Sequence, residues 1–290
     1  MRSTLRAEFF KTVRRPMTYI LLGTLAALIS VYYLLLWLRI QQGPGNRRRS
    51  IAHWLALKHG MSFETAVPYA LQLERFFVTL ICVIFVAAML SNEYDWRTAA
   101  LAMSRGVRRY HFIASKAIVA VLFTVTAVLV GFSVGLAFSA WFSHVYHLPY
   151  GALDAARLGD AFASIARTTF VVLPFVAMAL FFSTVWRSTP QAAGFALGFF
   201  FLESLFTGVL DTATGFLSHV PEALVNANAL SVMGANGLVP DNSLTGPFGL
   251  VAGGGGSVVP VWRAAGVLVL WIVAFGSIAF WRFRRRDLGD

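Results

Sequence analysis

Six apolar runs dominate this sequence, at residues 17–40, 76–91, 117–142, 168–185, 192–210 and 264–281. A helix needs roughly 20 such residues to cross the hydrocarbon of a bilayer. In lipid every backbone polar group must find its partner within its own segment, so helices are the default for these runs. The expected fold class is therefore an all-α polytopic membrane protein with six transmembrane helices. Composition agrees. Of 290 residues, 58% are hydrophobic and only 13% are charged, about half the charged share of a soluble domain.

The net charge is +11, and it comes from arginine, since Lys11, Lys58 and Lys116 are the only lysines. These arginines flank apolar runs, where they hold loops in the cytosol, and their placement argues against nucleic-acid binding. With a cytosolic N-terminus, 15 of the 24 basic residues fall on the inner side. Both termini are therefore expected in the cytosol, in a multi-pass prokaryotic plasma (inner) membrane protein. Arg47, Arg48 and Arg49 run against this topology in the first outer loop. The first run exceeds the short apolar region of a cleaved signal peptide and is expected to stay as a span. A single cysteine, Cys82, excludes an intrachain disulfide or a CxxC site.

Two cytosolic pieces carry pattern. Residues 1–16 form an amphipathic interfacial helix, with Leu5, Phe9 and Val13 on one stripe and Pro16 ending it. Its arginines suit anionic headgroups. Residues 92–116 join the second and third runs. Within them Trp96, Ala99, Ala100 and Met103 share one face of a short helix, which Ser104 and Gly106 can end. Arg105, Arg108 and Arg109 follow, and Lys116 opens the third span.

This segment resembles the coupling-helix hairpin of ABC transporter permeases of the type-2 (ABC-2) exporter family. The matching residues are Glu93 after the second span, Thr98, Leu101, Arg105 with Arg108, and Lys116. Ser104 stands where the family often has proline. The N-terminal helix resembles that family's elbow helix, and Phe283-Arg-Arg-Arg-Asp-Leu288 resembles its basic ending. The resemblance implies a permease subunit without its own catalytic activity, which lines an export path. It also implies two partners, a separate ABC ATPase subunit and a second permease copy or related permease. Glu93, Trp96, Thr98, Leu101, Met103 and Arg105 would couple to the ATPase, which would hold ATP and Mg. The cargo is left open among a drug, a lipid or another amphipathic molecule.

The chain itself lacks a Walker A phosphate loop, because none of its lysines follows a glycine. Gly253–Gly256 belongs to the outer loop 211–263, where the prolines punctuate one helix candidate at 222–233 that dips toward the membrane. In the first outer loop Ile51–His59 is a second interfacial helix candidate. Glu203 is the one ionisable residue well inside a run. A charge there must face protein or water. It either serves a structural role near the outer surface or lines the translocation path. His144 and His147 lack the further ligands a metal would need. A lipid-acting membrane enzyme and an ion-driven secondary transporter are the alternatives. The first would need clustered acids at one face, and the second would typically show internal repeats; neither feature is visible.

Overall fold

The computed structural model describes residues 2–43, 48–95, 103–104, 108–148, 150, 154–186, 188–210, 220, 222–236 and 259–285. Apart from short 3-10 turns, every regular element among them is an α-helix. These are α1 (Arg2–Arg14), α2 (Pro16–Gln41), α3 (Arg48–Gly60), α4 (Ala66–Asp95), α5 (Arg109–Tyr146), α6 (Ala155–Val185), α7 (Thr189–Leu210), α8 (Val225–Gly234) and α9 (Val261–Arg285). Among the described residues, five segments are long and apolar enough to cross a membrane: α2, Phe63–Glu93, α5, α6 and α9. The fifth of the six expected runs lies in α7, which has 22 residues.

Local chemistry sets several boundaries. Arg15 adopts an extended conformation and Pro16 takes the first helical position of α2, where its missing N–H costs nothing. The Asp154 carboxylate accepts the Arg157 backbone N–H at 2.9 Å and caps α6. α5 ends at His147, whose left-handed backbone (φ 52°) closes the helix while Leu148 N–H returns to the Ser143 carbonyl at 3.0 Å.

The helix through the second run is longer than the run itself. The apolar stretch begins at Phe76, but α4 starts at Ala66. Glu74 and Arg75, expected at the end of an outer loop, lie inside the helix and are 1% and 3% exposed. The helix continues through them because both charged groups point into the protein, where neighbours shield them from lipid.

α4 is the axis of the bundle, packing against α2, α5, α6 and α7. Its apolar window is 83% buried, against 17% for α2 and for α9, so the last two present most of their surface outward. On α2 the buried face is Leu25, Ile29, Tyr33, Leu36 and Ile40, three to four residues apart as one helical stripe requires. Tyr19, Ile20, Val31, Leu35 and Leu38 lie exposed on its other face, as suits lipid contact.

Both outer-loop helix candidates are present. Ile51–His59 lies in α3, and Trp54 donates through Nε1 to the Ile40 carbonyl at 3.0 Å. The candidate at 222–233 corresponds to α8, which packs among α6, α7 and α9.

Candidate functional site

The richest ionic cluster lies where α1, α4 and α5 meet. Glu93, near the C-terminal end of α4, is fully buried. Its Oε1 receives Lys116 Nζ at 2.9 Å, Arg15 Nη2 at 3.1 Å and Lys11 Nζ at 3.4 Å. Glu8 completes the cluster, with Oε1 3.0 Å from Lys11 Nζ and Oε2 2.5 Å from Lys116 Nζ. Lys116 is fully buried too and lies 5.4 Å from the Phe112 ring centre.

Ions taken out of water cost several kcal/mol each unless they are paired and hydrogen-bonded. Here five charged groups, from three helices and the α1–α2 junction, compensate one another. Glu93 and Lys116 are 23 residues apart in the chain. Their contact joins the two ends of segment 92–116, and α1 and the α1–α2 junction are bound there through Glu8, Lys11 and Arg15. The α5 entry is fixed a second time: Arg109 Nη1 donates to the Arg284 carbonyl of α9 at 2.9 Å, and Phe112 stacks on Phe283 at 5.7 Å.

α1 differs in detail from the expected stripe. Leu5 packs on the buried core, whereas Phe9, Phe10 and Val13 are exposed. The bundle is gripped by Glu8, which is 4% exposed, and by the cations that follow it.

The second cluster surrounds Glu203. It is 3% exposed, and its Oε1 accepts the Asn226 backbone N–H at 3.0 Å, with Val225 N–H directed at the same carboxylate. These are the first two residues of α8. Four N–H groups at a helix start lack intrahelical partners, and the helix dipole favours an anion there. Arg75 on α4 donates through Nη1 to Asn226 Oδ1 at 3.2 Å, and Asn226 Nδ2 donates to Ser204 Oγ at 3.4 Å. Trp271 of α9 donates to the Ala223 carbonyl at 3.0 Å, and Arg167 of α6 to the Ala235 carbonyl at 3.1 Å. α8 is thus held at both ends by four of the longer helices. Glu203 anchors this inserted helix from within the bundle.

Of the residues singled out for coupling, Trp96, Thr98, Leu101 and Arg105 lie outside the described residues. Met103 is described, and its side chain packs back on the buried core. Glu93 is fully buried, with none of its surface exposed. Sequence reasoning passed over Glu8, Arg75 and Asn226. A signal existed for Glu8, the only acid in residues 1–16 among five basic residues. For Asn226 nothing in the sequence marks a neighbour 23 residues from Glu203.

A helical bundle with several membrane-length apolar segments defines a multi-pass α-helical membrane protein. The chain belongs to the DUF2705 family, a family of unknown function, whose model matches residues 55–289. It is also 25% identical over 224 residues to uncharacterized protein YhcI of Bacillus subtilis (strain 168). That match covers 73% of this chain and 64% of the relative, so the chain spans just under two thirds of the relative's length.

Proposed function

We propose that this chain is the membrane-spanning permease subunit of an ATP-driven exporter of the ABC-2 type, with six crossings of which α7 is the fifth. Both termini face the cytosol of a prokaryotic cell, and the 92–116 hairpin docks on a separate ATPase subunit that binds ATP and Mg. The observation that supports this most is the buried Glu93–Lys116 contact at the hairpin base, 2.9 Å long and braced by α1. A segment that transmits force between a soluble motor and a bundle needs a base that cannot slide. Here the hairpin's two roots and the interfacial helix form one ionic unit.

The orientation rests on where the basic residues gather. Arg108 and Arg109, Arg282, Arg284 and Arg285, and the cations of α1 lie at the same end of the bundle, as the α5 and α9 contacts indicate. In operation, two permeases would pair, and ATP-driven closure of the ATPase dimer would displace both hairpins. Each hairpin base would pass the motion to α4 and α5 as a rigid body. Trp96, Thr98, Leu101 and Arg105 form the docking face. Glu93 and Met103 hold that face in place.

Co-purification from membranes tests the reading. Affinity-tagged chain is expected to retain an ATPase with a Walker A motif. Deleting residues 96–103 is expected to abolish retention while leaving the chain in the membrane. Retention of no ATPase by the full chain, or unchanged transport after the deletion, would reject the proposal.

A further inference from the structure

Glu74 sits in the middle of the bundle, 1% exposed, between α2, α4 and α5. Neither of its carboxylate oxygens has a hydrogen-bond partner among the described residues, and no basic side chain there pairs with it. Its chain neighbour Arg75 points the other way, to Asn226 on α8. This is unlike every other buried acid in the bundle, since Glu8, Glu93 and Glu203 all have named cationic or N–H partners.

The surroundings are built for a carboxylate rather than closed over one. On α5, Gly131 lies against the Glu74 carboxylate, and a Cβ there would overlap Oε2 and force the side chain to shift. One turn on, a Cβ at Gly135 would come within 3.1 Å of the Tyr33 hydroxyl and 2.6 Å of Ala70 Cβ. The Tyr33 hydroxyl lies beside Ser139 and within electrostatic reach of Glu74. Tyr33 and Ser139 are both fully buried with their hydroxyls against each other, and Trp37 Nε1, one turn along α2, lacks a hydrogen-bond partner among the described residues. The titratable group facing Glu74 from α2 is Tyr33. From α5 the facing residues are Gly131, Gly135 and Ser139, which carry no charge.

Buried polar groups are nearly always satisfied, and a set left unsatisfied together points to an occupant. A lone carboxylate is among the costliest groups to hold at membrane depth, and such a group marks an ion or proton pathway by default. One negative charge calls for one positive charge. Hydroxyl and carboxylate oxygens are the donors a hard cation prefers.

We infer that Glu74, Tyr33 and Ser139 form an intramembrane site that takes up one monovalent cation, a proton or a sodium ion, from the aqueous phase. The site lies apart from the Glu93 clamp and does not depend on the ATPase reading.

Dicyclohexylcarbodiimide, which modifies protonated carboxyl groups in apolar surroundings, tests this on the full-length chain in phospholipid vesicles, with peptide mass as the readout. Glu74 is expected to be the main carboxyl modified, and Glu74→Gln to remove that adduct. Protection by sodium at constant pH and ionic strength identifies a sodium site. Labelling that falls as pH rises, indifferent to sodium, identifies a proton site. Tyr33→Phe removes one oxygen and should move the half-protecting sodium or proton concentration by about tenfold. The inference is overturned if Glu74 is not modified across the range, or if its modification ignores both pH and sodium. A Tyr33→Phe profile identical to wild type removes the hydroxyl from the site and overturns the assignment as stated.

Discussion

Replacing Glu93 with leucine is expected to lower the stability of the folded chain by about 3–5 kcal/mol, the usual cost of removing one partner from a buried ion pair. The substitution leaves Lys116 fully buried, with Glu8 as the remaining acid for three cations. The effect should exceed that of Lys116→Met, because Lys11 and Arg15 stay to compensate Glu93 when the lysine is lost. The double variant Glu93→Leu/Lys116→Met removes one charge of each sign. It is expected to recover part of the loss, with a coupling of about 1–3 kcal/mol. Thermal unfolding in detergent, followed by the monodisperse fraction on size exclusion, reads all three. A Glu93→Leu variant as stable as wild type would show that the cluster is not a clamp. If the double variant is stable but no longer retains the ATPase, stability and coupling separate, and Glu93 and Lys116 serve the second as well as the first.

Replacing Glu203 with alanine should cost about 2–4 kcal/mol, again as loss of a buried charge that leaves cationic and N–H groups uncompensated. The loss should be local in origin. α8 would forfeit the anion at its first turn, and Arg75 would lose the nearby negative charge of Glu203. Glu203→Gln retains an oxygen for the Asn226 N–H and should cost distinctly less. Limited proteolysis distinguishes the mechanism, because cleavage near α8 should accelerate in Glu203→Ala before the rest of the bundle opens. Equal effects of the alanine and glutamine variants would mean that the charge matters and the cap does not. No effect from either would remove the anchoring role altogether and return Glu203 to the expected alternative, a residue lining the path.

The helices themselves were legible because lipid-length apolar runs have few other uses. What hydropathy could not supply was the direction of a charged side chain. Glu74 and Arg75 interrupt the second run and so place its start at Phe76, yet α4 begins at Ala66. Averaging along the sequence treats a charge turned into the protein the same as one facing water. The same blindness hides the two polar clusters. Glu93 and Lys116 were both marked by resemblance, but their mutual contact spans 23 residues and has no local signature. The short outer helix at 222–233 was visible from its apolar content between prolines, and α8 occupies most of that range. Its capture by Glu203 was not, because the capping carboxylate comes from another helix and no spacing rule relates them. The docking residues Trp96, Thr98, Leu101 and Arg105 rest on pattern and resemblance alone.

A photo-cross-linking residue placed at position 101 in the full-length chain, activated in native membranes, tests the central claim most directly. The account predicts a covalent adduct with a Walker A ATPase, formed from the cytosolic side. Adducts confined to lipid or to outer-surface proteins, with no nucleotide-binding protein among them, would contradict it.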